Sequence, residues 1–277
     1  LEKCHIHNSS RKRGKMEKGN KNHFVLVYGA CHGAWCWYKV VTILRSEGHK
    51  VSVLDMAASG INPKHVEDLN SKADYNEPLM EFMNSLPQQE RVVLVGHSMG
   101  GINISLAMEK FPHKIAVAVF VSASMPGPDL NLVAVTQQYS QQVETPMDTE
   151  FVYNNGLDKG PTSVVLGPKV LATIYYQFSP PEDLTLATYL VRPVPLFDES
   201  VLLTNTTLSK EKYGSVHRVY VVCDKDKVLK EEQFQRWLIK NNPPDEVQMI
   251  HDAGHMVMFS KPRELCSCLV MISQKYH

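Results

Sequence analysis

Apolar residues fall along the chain in two alternating rhythms. Short runs rich in β-branched and aromatic residues recur at 24–28, 50–55, 91–95, 114–122, 216–223 and 246–250. Each has the length of a strand, and the near-continuous apolar character of most of them is the pattern of strands buried on both faces. Between these runs, apolar residues spaced three and four apart predict helices over 34–47, 74–86, 99–111 and 230–241, and a last one from Pro262 onward. Gly48 supplies the C-terminal stop of the first helix. Strands alternating with helices of these lengths require right-handed crossovers, and so predict a mostly parallel central sheet flanked by helices on both faces, an α/β fold.

The rhythm breaks between residue 125 and about residue 203. Met125-Pro-Gly-Pro128, Gly160-Pro161, Gly167-Pro168, Ser179-Pro-Pro181 and Arg192-Pro-Val-Pro195 punctuate short segments there, read as short helices. Ser179-Pro-Pro-Glu182 has capping-box spacing and predicts a helix running through Leu190. Because the block falls between core strands, it reads as an inserted cap over the strand ends within one domain, 16–277. The polar opening, 1–15, with Arg11-Lys12-Arg13, is expected to be a non-native or disordered leader outside the fold.

Composition narrows the partners. Lys plus Arg and Asp plus Glu both total 29, so nothing marks a nucleic-acid or anionic-membrane surface. No apolar run approaches the roughly 18 residues of a membrane span. A small molecule is the expected partner. The six cysteines show no zinc-finger spacing and are expected to be reduced thiols of a cytoplasmic protein. Neither a metal nor an organic cofactor is expected, since no ligand cluster or dinucleotide fingerprint is present. The final apolar helix suits a homodimer interface or packing on its own sheet equally well.

The chemistry centres on Gly96-His97-Ser98-Met99-Gly100, placed where a β-branched strand turns into a helix. Glycines on both sides of a serine permit the tight elbow that lifts its hydroxyl out of a sheet. A serine hydroxyl needs a base, and the base needs an orienting carboxylate. His255 and Asp226 both lie just past predicted strands, at the carboxyl edge where open α/β sheets bind ligands. Asp224 rivals Asp226, because period two points both the same way. His97 is expected to pack and hydrogen-bond, and His5, His7, His49, His113 and His217 to lie on the surface. The oxyanion donors expected for this architecture are the amides of Met99 and of Ala30, in the loop after the first strand.

The segments HFVLVYGACHGAWCWYK, ASGINP, VVLVGHSMGG, ISLAMEKFPHKI, SPPEDLTLATYLVRP, KYGSVHRVYVV and GHMVMFSKPRELC carry a resemblance that covers most of the chain. It resembles the plant methylesterase and hydroxynitrile lyase family of α/β-hydrolases, most specifically the members acting on methyl jasmonate. The resemblance implies an α/β-hydrolase fold with an inserted cap. It implies hydrolysis of a small methyl ester, methyl jasmonate first and methyl salicylate or methyl indole-3-acetate as alternatives. Ser98, Asp226 and His255 match the family triad, and His32, Met256 and Leu196 fall at or beside positions framing the acid pocket. Lyases of the lysine type carry lysine where this chain has Met256, and the related decarboxylases lack the serine. A hormone-binding member with slow turnover is a further alternative. Two positions depart from the family pattern: Tyr28 stands for a usual histidine, and Gly254 for a usual aspartate.

Overall fold

In the computed structural model of the protein, residues 21–141, 147–204 and 206–276 are described. The leader expected over 1–15 and the histidines at 5 and 7 lie outside them. The chain runs through β1 (His23–Val27), a 3-10 turn (Ala34–Trp37), α1 (Tyr38–Ser46), β2 (Lys50–Val53), α2 (Lys72–Ser85), β3 (Val92–Ser98), α3 (Gly100–Lys110) and β4 (Ile115–Ala123). Next come α4 (Leu132–Ser140), β5 (Glu150–Val152), β6 (Ser163–Val165), α5 (Pro168–Val170) continuing into a π-helical turn (Leu171–Tyr175), α6 (Pro181–Leu190), β7 (Val194–Pro195) and α7 (Glu199–Leu203). The last third holds β8 (Arg218–Cys223), a π-helical turn (Glu231–Gln235) leading into α8 (Arg236–Asn241), β9 (Glu246–Ile250), α9 (Val257–Ser260) and α10 (Pro262–Tyr276).

The continuous apolar runs behave as their composition requires. Six strands pair in the order β2-β1-β3-β4-β8-β9, every pair parallel. The central strands β1, β3 and β4 are buried along their whole length, since helices cover both faces. Right-handed crossovers put α1 on the face opposite α2 and α3, because β2 lies beyond β1 while β3 and β4 lie on its other side. The apolar face of α10 (Leu265, Leu269, Ile272) is buried within the chain, where the helix meets α1 and the sheet. No helix among the described residues is long and apolar enough to cross a membrane.

Two expectations for the inserted block are corrected. It is not built of short helices alone, because β5, β6 and β7 form a separate antiparallel sheet. Strands of two or three residues set among Gly-Pro pairs are too short to show a period. Nor does Ser179 cap α6: the N-cap is Pro180, without a side-chain hydrogen bond, and Pro181 at the first helical position supplies the preset φ instead. His49 is half-buried, its Nδ1 accepting from the Asn22 amide at 3.2 Å, and is not a free surface residue.

The block is fastened to the rest of the chain by polar contacts. The Arg192 guanidinium donates to the carbonyls of Gly60, Asn62 and Lys64, and its amide donates to Cys31 O at 2.9 Å. Asp183, 1% exposed, accepts from the Tyr38 hydroxyl at 2.9 Å and from Lys39 Nζ. A charged group so thoroughly desolvated needs such partners.

The turn from β3 into α3 depends on close backbone approach. A Cβ on Gly100 would stand 2.5 Å from Tyr28 O, and one on Gly101 would fall on Ser124 O. Gly101→Ala is therefore expected to destabilise the fold by about 3 kcal/mol through overpacking, read from the urea midpoint; an unchanged midpoint would contradict this contact.

Candidate active site

Three strand ends converge. β3 ends on Ser98, whose φ of 55° is the left-handed conformation of a sharp elbow. Asp226 lies three residues past the end of β8, and His255 five past the end of β9. His255 Nε2 is 3.0 Å from Ser98 Oγ, and His255 Nδ1 is 2.7 Å from Asp226 Oδ2. With the Nδ1 proton donated to the carboxylate, Nε2 is left to accept from the serine hydroxyl. The geometry also separates the two aspartates: Asp224 Oδ2 faces the exposed His251, 3.2 Å away.

Asp226 is held from all sides. Its Oδ1 accepts from the amides of Val228 and Leu229 at 2.7 and 2.9 Å, and its Oδ2 accepts from the Ser122 hydroxyl as well as from His255. Burial opposes ionisation, yet attraction to His255 and the hydrogen bonds from His255, Ser122 and Leu229 outweigh it, holding the carboxyl below its usual range. Ser122 owes its reach to a backbone φ of 40°, next to the register shift that sets Ser98 against Ala123. His97 packs behind the base, as expected: its Nε2 donates to His255 O at 2.8 Å, and the ring centroids are 4.6 Å apart. Burial, then repulsion from His255, pushes the His97 pKa well down.

The other expected site residues are placed as follows. The amides of Met99 and Ala30 take no part in any hydrogen bond among the described residues. Both residues are half-buried. His32 is 2% exposed, its Nδ1 2.7 Å from Ala30 O and its Nε2 2.7 Å from the Tyr176 hydroxyl, so both ring nitrogens are engaged by the protein. Its contact with Ala30 steadies the loop that carries the second expected donor. Met256 is buried in the main core cluster. Leu196 lines a crevice of about 440 Å³ with Leu69, Asn70, Thr162 and Phe197, a crevice that Ser98 and His255 do not line.

Both departures from the family pattern acquire a structural reason. The Tyr28 hydroxyl accepts from the Met56 amide at 2.5 Å, so its ring extends under the loop after β2, where it is fully buried. Gly254 lies under Phe178, and a Cβ there would stand 2.7 Å from the Phe178 ring. Residues that spacing could not reveal also appear: Ser122 behind the carboxylate, and Tyr175, whose ring meets His255 edge-on at 5.2 Å. Tyr175 ends the π-helical turn, a local irregularity frequent at functional sites.

Residues 24–267 match the model of the alpha/beta hydrolase family. The chain is 58% identical over 262 residues to methyl jasmonate esterase 1 of Vitis vinifera, covering 94% of this chain and all of that protein. It is 48% identical to salicylic acid-binding protein 2 of Nicotiana tabacum, covering 95% of this chain and all of that protein. Among solved structures, tomato methylketone synthase I complexed with 2-tridecanone superposes with a TM-score of 0.90 at 48% identity, covering 93% of this chain and all of that one.

The buried histidines make stability pH-dependent. Burial pushes His32 down to about 4, whereas in the unfolded chain its pKa is about 6.5. The unfolded state therefore takes up the proton first as pH falls. Unfolding free energy should decline from about pH 6.5 toward pH 4, by about 3 kcal/mol from this residue. His32→Gln is expected to flatten that slope in denaturant titrations at successive pH values; an unaltered slope would contradict the assignment.

Proposed function

The chain belongs to the alpha/beta hydrolase family and is a carboxylic ester hydrolase, and from that premise we propose that it cleaves the methyl ester of a small hormone-type acid through Ser98, His255 and Asp226, with methyl jasmonate as the preferred substrate. The observation that carries the mechanism is the unbroken hydrogen-bonded chain from Ser98 Oγ through the imidazole to a buried, fully partnered carboxylate. The choice of acid is supported by the 58% identity to the grape enzyme named for methyl jasmonate. Methyl salicylate and methyl indole-3-acetate are the next substrates to compare.

In this reading Ser98 Oγ attacks the ester carbonyl while His255 Nε2 takes its proton. Asp226 holds Nδ1–H and stabilises the imidazolium as it forms. The developing oxyanion is received by the amides of Met99 and Ala30, each donor contributing about 3 kcal/mol to lowering the barrier. His255 then gives its proton to the departing methoxide, methanol leaves, and water removes the acyl group by the same relay. His97 and Ser122 act as positioning residues, one behind the imidazole and the other behind the carboxylate. Met256 follows the base where a lysine-type lyase would carry its ammonium, so the site lacks that charge for cyanide chemistry. The five described cysteines are free, four of them buried, which suits the reducing cytoplasm we assign.

Methanol release from the three methyl esters tests the reading. Methyl jasmonate should be turned over fastest, with Ser98→Ala lower by about 10⁶ and Asp226→Asn by about 10⁴. Serine-independent release of methanol, or no release from any of the three, would overturn it.

A further inference from the structure

The loop that carries the Ala30 amide is held in place by the inserted block. Cys31 has a φ of 63°, a left-handed conformation that a side chain disfavours. A residue stays there only where its surroundings fix it. Three contacts around Cys31 and His32 do so, and each comes from the block. The Arg192 amide donates to Cys31 O at 2.9 Å, the Cys31 thiol donates to Val164 O on β6 at 3.5 Å, and the Tyr176 hydroxyl lies 2.7 Å from His32 Nε2. Cys31 and His32 are each 2% exposed, so water cannot take the place of these partners. Burial pushes the Cys31 thiol up to about 12, and it keeps the proton that it donates.

The direction of the third contact follows from the imidazole. Ala30 O can only accept, so His32 Nδ1, 2.7 Å away, carries the ring proton. Nε2 of the neutral ring is then an acceptor, and the Tyr176 hydroxyl is its donor. Burial keeps the ring neutral at physiological pH by pushing its pKa down to about 4. A hydrogen-bonded relay therefore runs from Tyr176 through His32 to Ala30 O, a counterpart to the one that runs from Asp226 through His255 to Ser98. The His32 ring also stacks on Trp35 and on Tyr176, with centroids 5.3 and 5.9 Å away, which restrains its rotation. Tyr176 directly follows Tyr175, whose ring meets His255, so one turn of the block touches both the base and the oxyanion loop.

We propose that the inserted block completes the oxyanion hole: Tyr176, acting through His32, is a positioning residue that sets the Ala30 amide toward the developing oxyanion. The proposal rests on the esterase reading and gives the block a part in the reaction itself, beyond enclosing it. Neither Tyr176 nor His32 touches the reacting atoms in this assignment. With both ring nitrogens engaged, His32 serves the loop and does not donate to the acid.

The test removes one hydroxyl from the intact protein. Tyr176→Phe keeps the ring that packs on His32 and Phe259, and His32→Asn removes Nε2, the atom through which Tyr176 acts. Hexyl trifluoromethyl ketone is the probe: Ser98 Oγ bonds to its carbonyl carbon, the hydroxyl proton passes to His255, and the carbonyl oxygen becomes an alkoxide received by the Met99 and Ala30 amides. Its affinity, from fluorine NMR of the adduct, is measured with kcat and KM for methyl jasmonate in wild type, both single variants and the double variant. Tyr176→Phe should weaken the adduct and lower kcat by about tenfold each, within the roughly 10²-fold that a 1 Å misplacement costs, while KM changes little. In the His32→Asn background the same substitution should bring no further loss. Unchanged ketone affinity in Tyr176→Phe, an equal further loss in the double variant, or no adduct with wild type overturns the proposal. A Tyr176-dependent adduct in a protein that releases no methanol supports the positioning role and removes the esterase reading alone.

Discussion

The site depends on one backbone constraint, the turn that takes β3 into α3 at Ser98. A serine with φ of 55° stays in that conformation only because the surrounding backbone leaves no alternative. Gly100 and Gly101 let the first turn of α3 lie against the backbones of β1 and of the segment after β4. Because α3 is seated so deeply, Ser98 Oγ projects beyond the sheet edge and the Met99 amide lies at the start of the helix. The same irregularity propagates to the neighbouring strand. The register shift opposite Ser98 accompanies the positive φ of Ser122, and Ser122 then reaches Asp226.

Around that elbow the structure removes water and substitutes fixed dipoles. His255 is 1% exposed, and its two nitrogens are committed to Ser98 and Asp226. Tyr175 from the inserted block meets the imidazole edge-on, and His97 packs against its other side. In such a setting an imidazolium is stabilised chiefly by the carboxylate, and the carboxylate is prevented from turning by two backbone amides and a hydroxyl. The inserted block is in turn tied down by Arg192 and Asp183, so the enclosure is built into the fold. Gly254 belongs to the same arrangement: its missing side chain leaves room for Phe178 of the inserted block.

Much of this was legible in the sequence, for identifiable reasons. The order of strands and helices follows from runs such as Phe24-Val-Leu-Val27, too apolar for anything but a strand covered on both faces. Glycine spacing marked the elbow at Ser98, and the positions of Asp226 and His255 past strands placed both at the edge where the structure hydrogen-bonds them to it. What was not legible depended on tertiary contact. Period two could not separate Asp224 from Asp226, which only the turn after β8 distinguishes. The short strands β5 to β7 carry too few residues to show alternation. Ser122 looked like an ordinary strand residue, because its contact with Asp226 is a property of the assembled strands. Tyr28, a departure from the family pattern, proves to fill the core beneath the loop after β2.

The central claim is that Ser98 is a nucleophile activated by His255. Intact-protein and peptide mass spectrometry after treatment with an alkyl fluorophosphonate tests it most directly, because covalent capture reports activation without requiring the natural ester. The account predicts a single adduct on the peptide containing Ser98, forming far more slowly in His255→Ala. Labelling elsewhere, or equal rates with and without the imidazole, would contradict it.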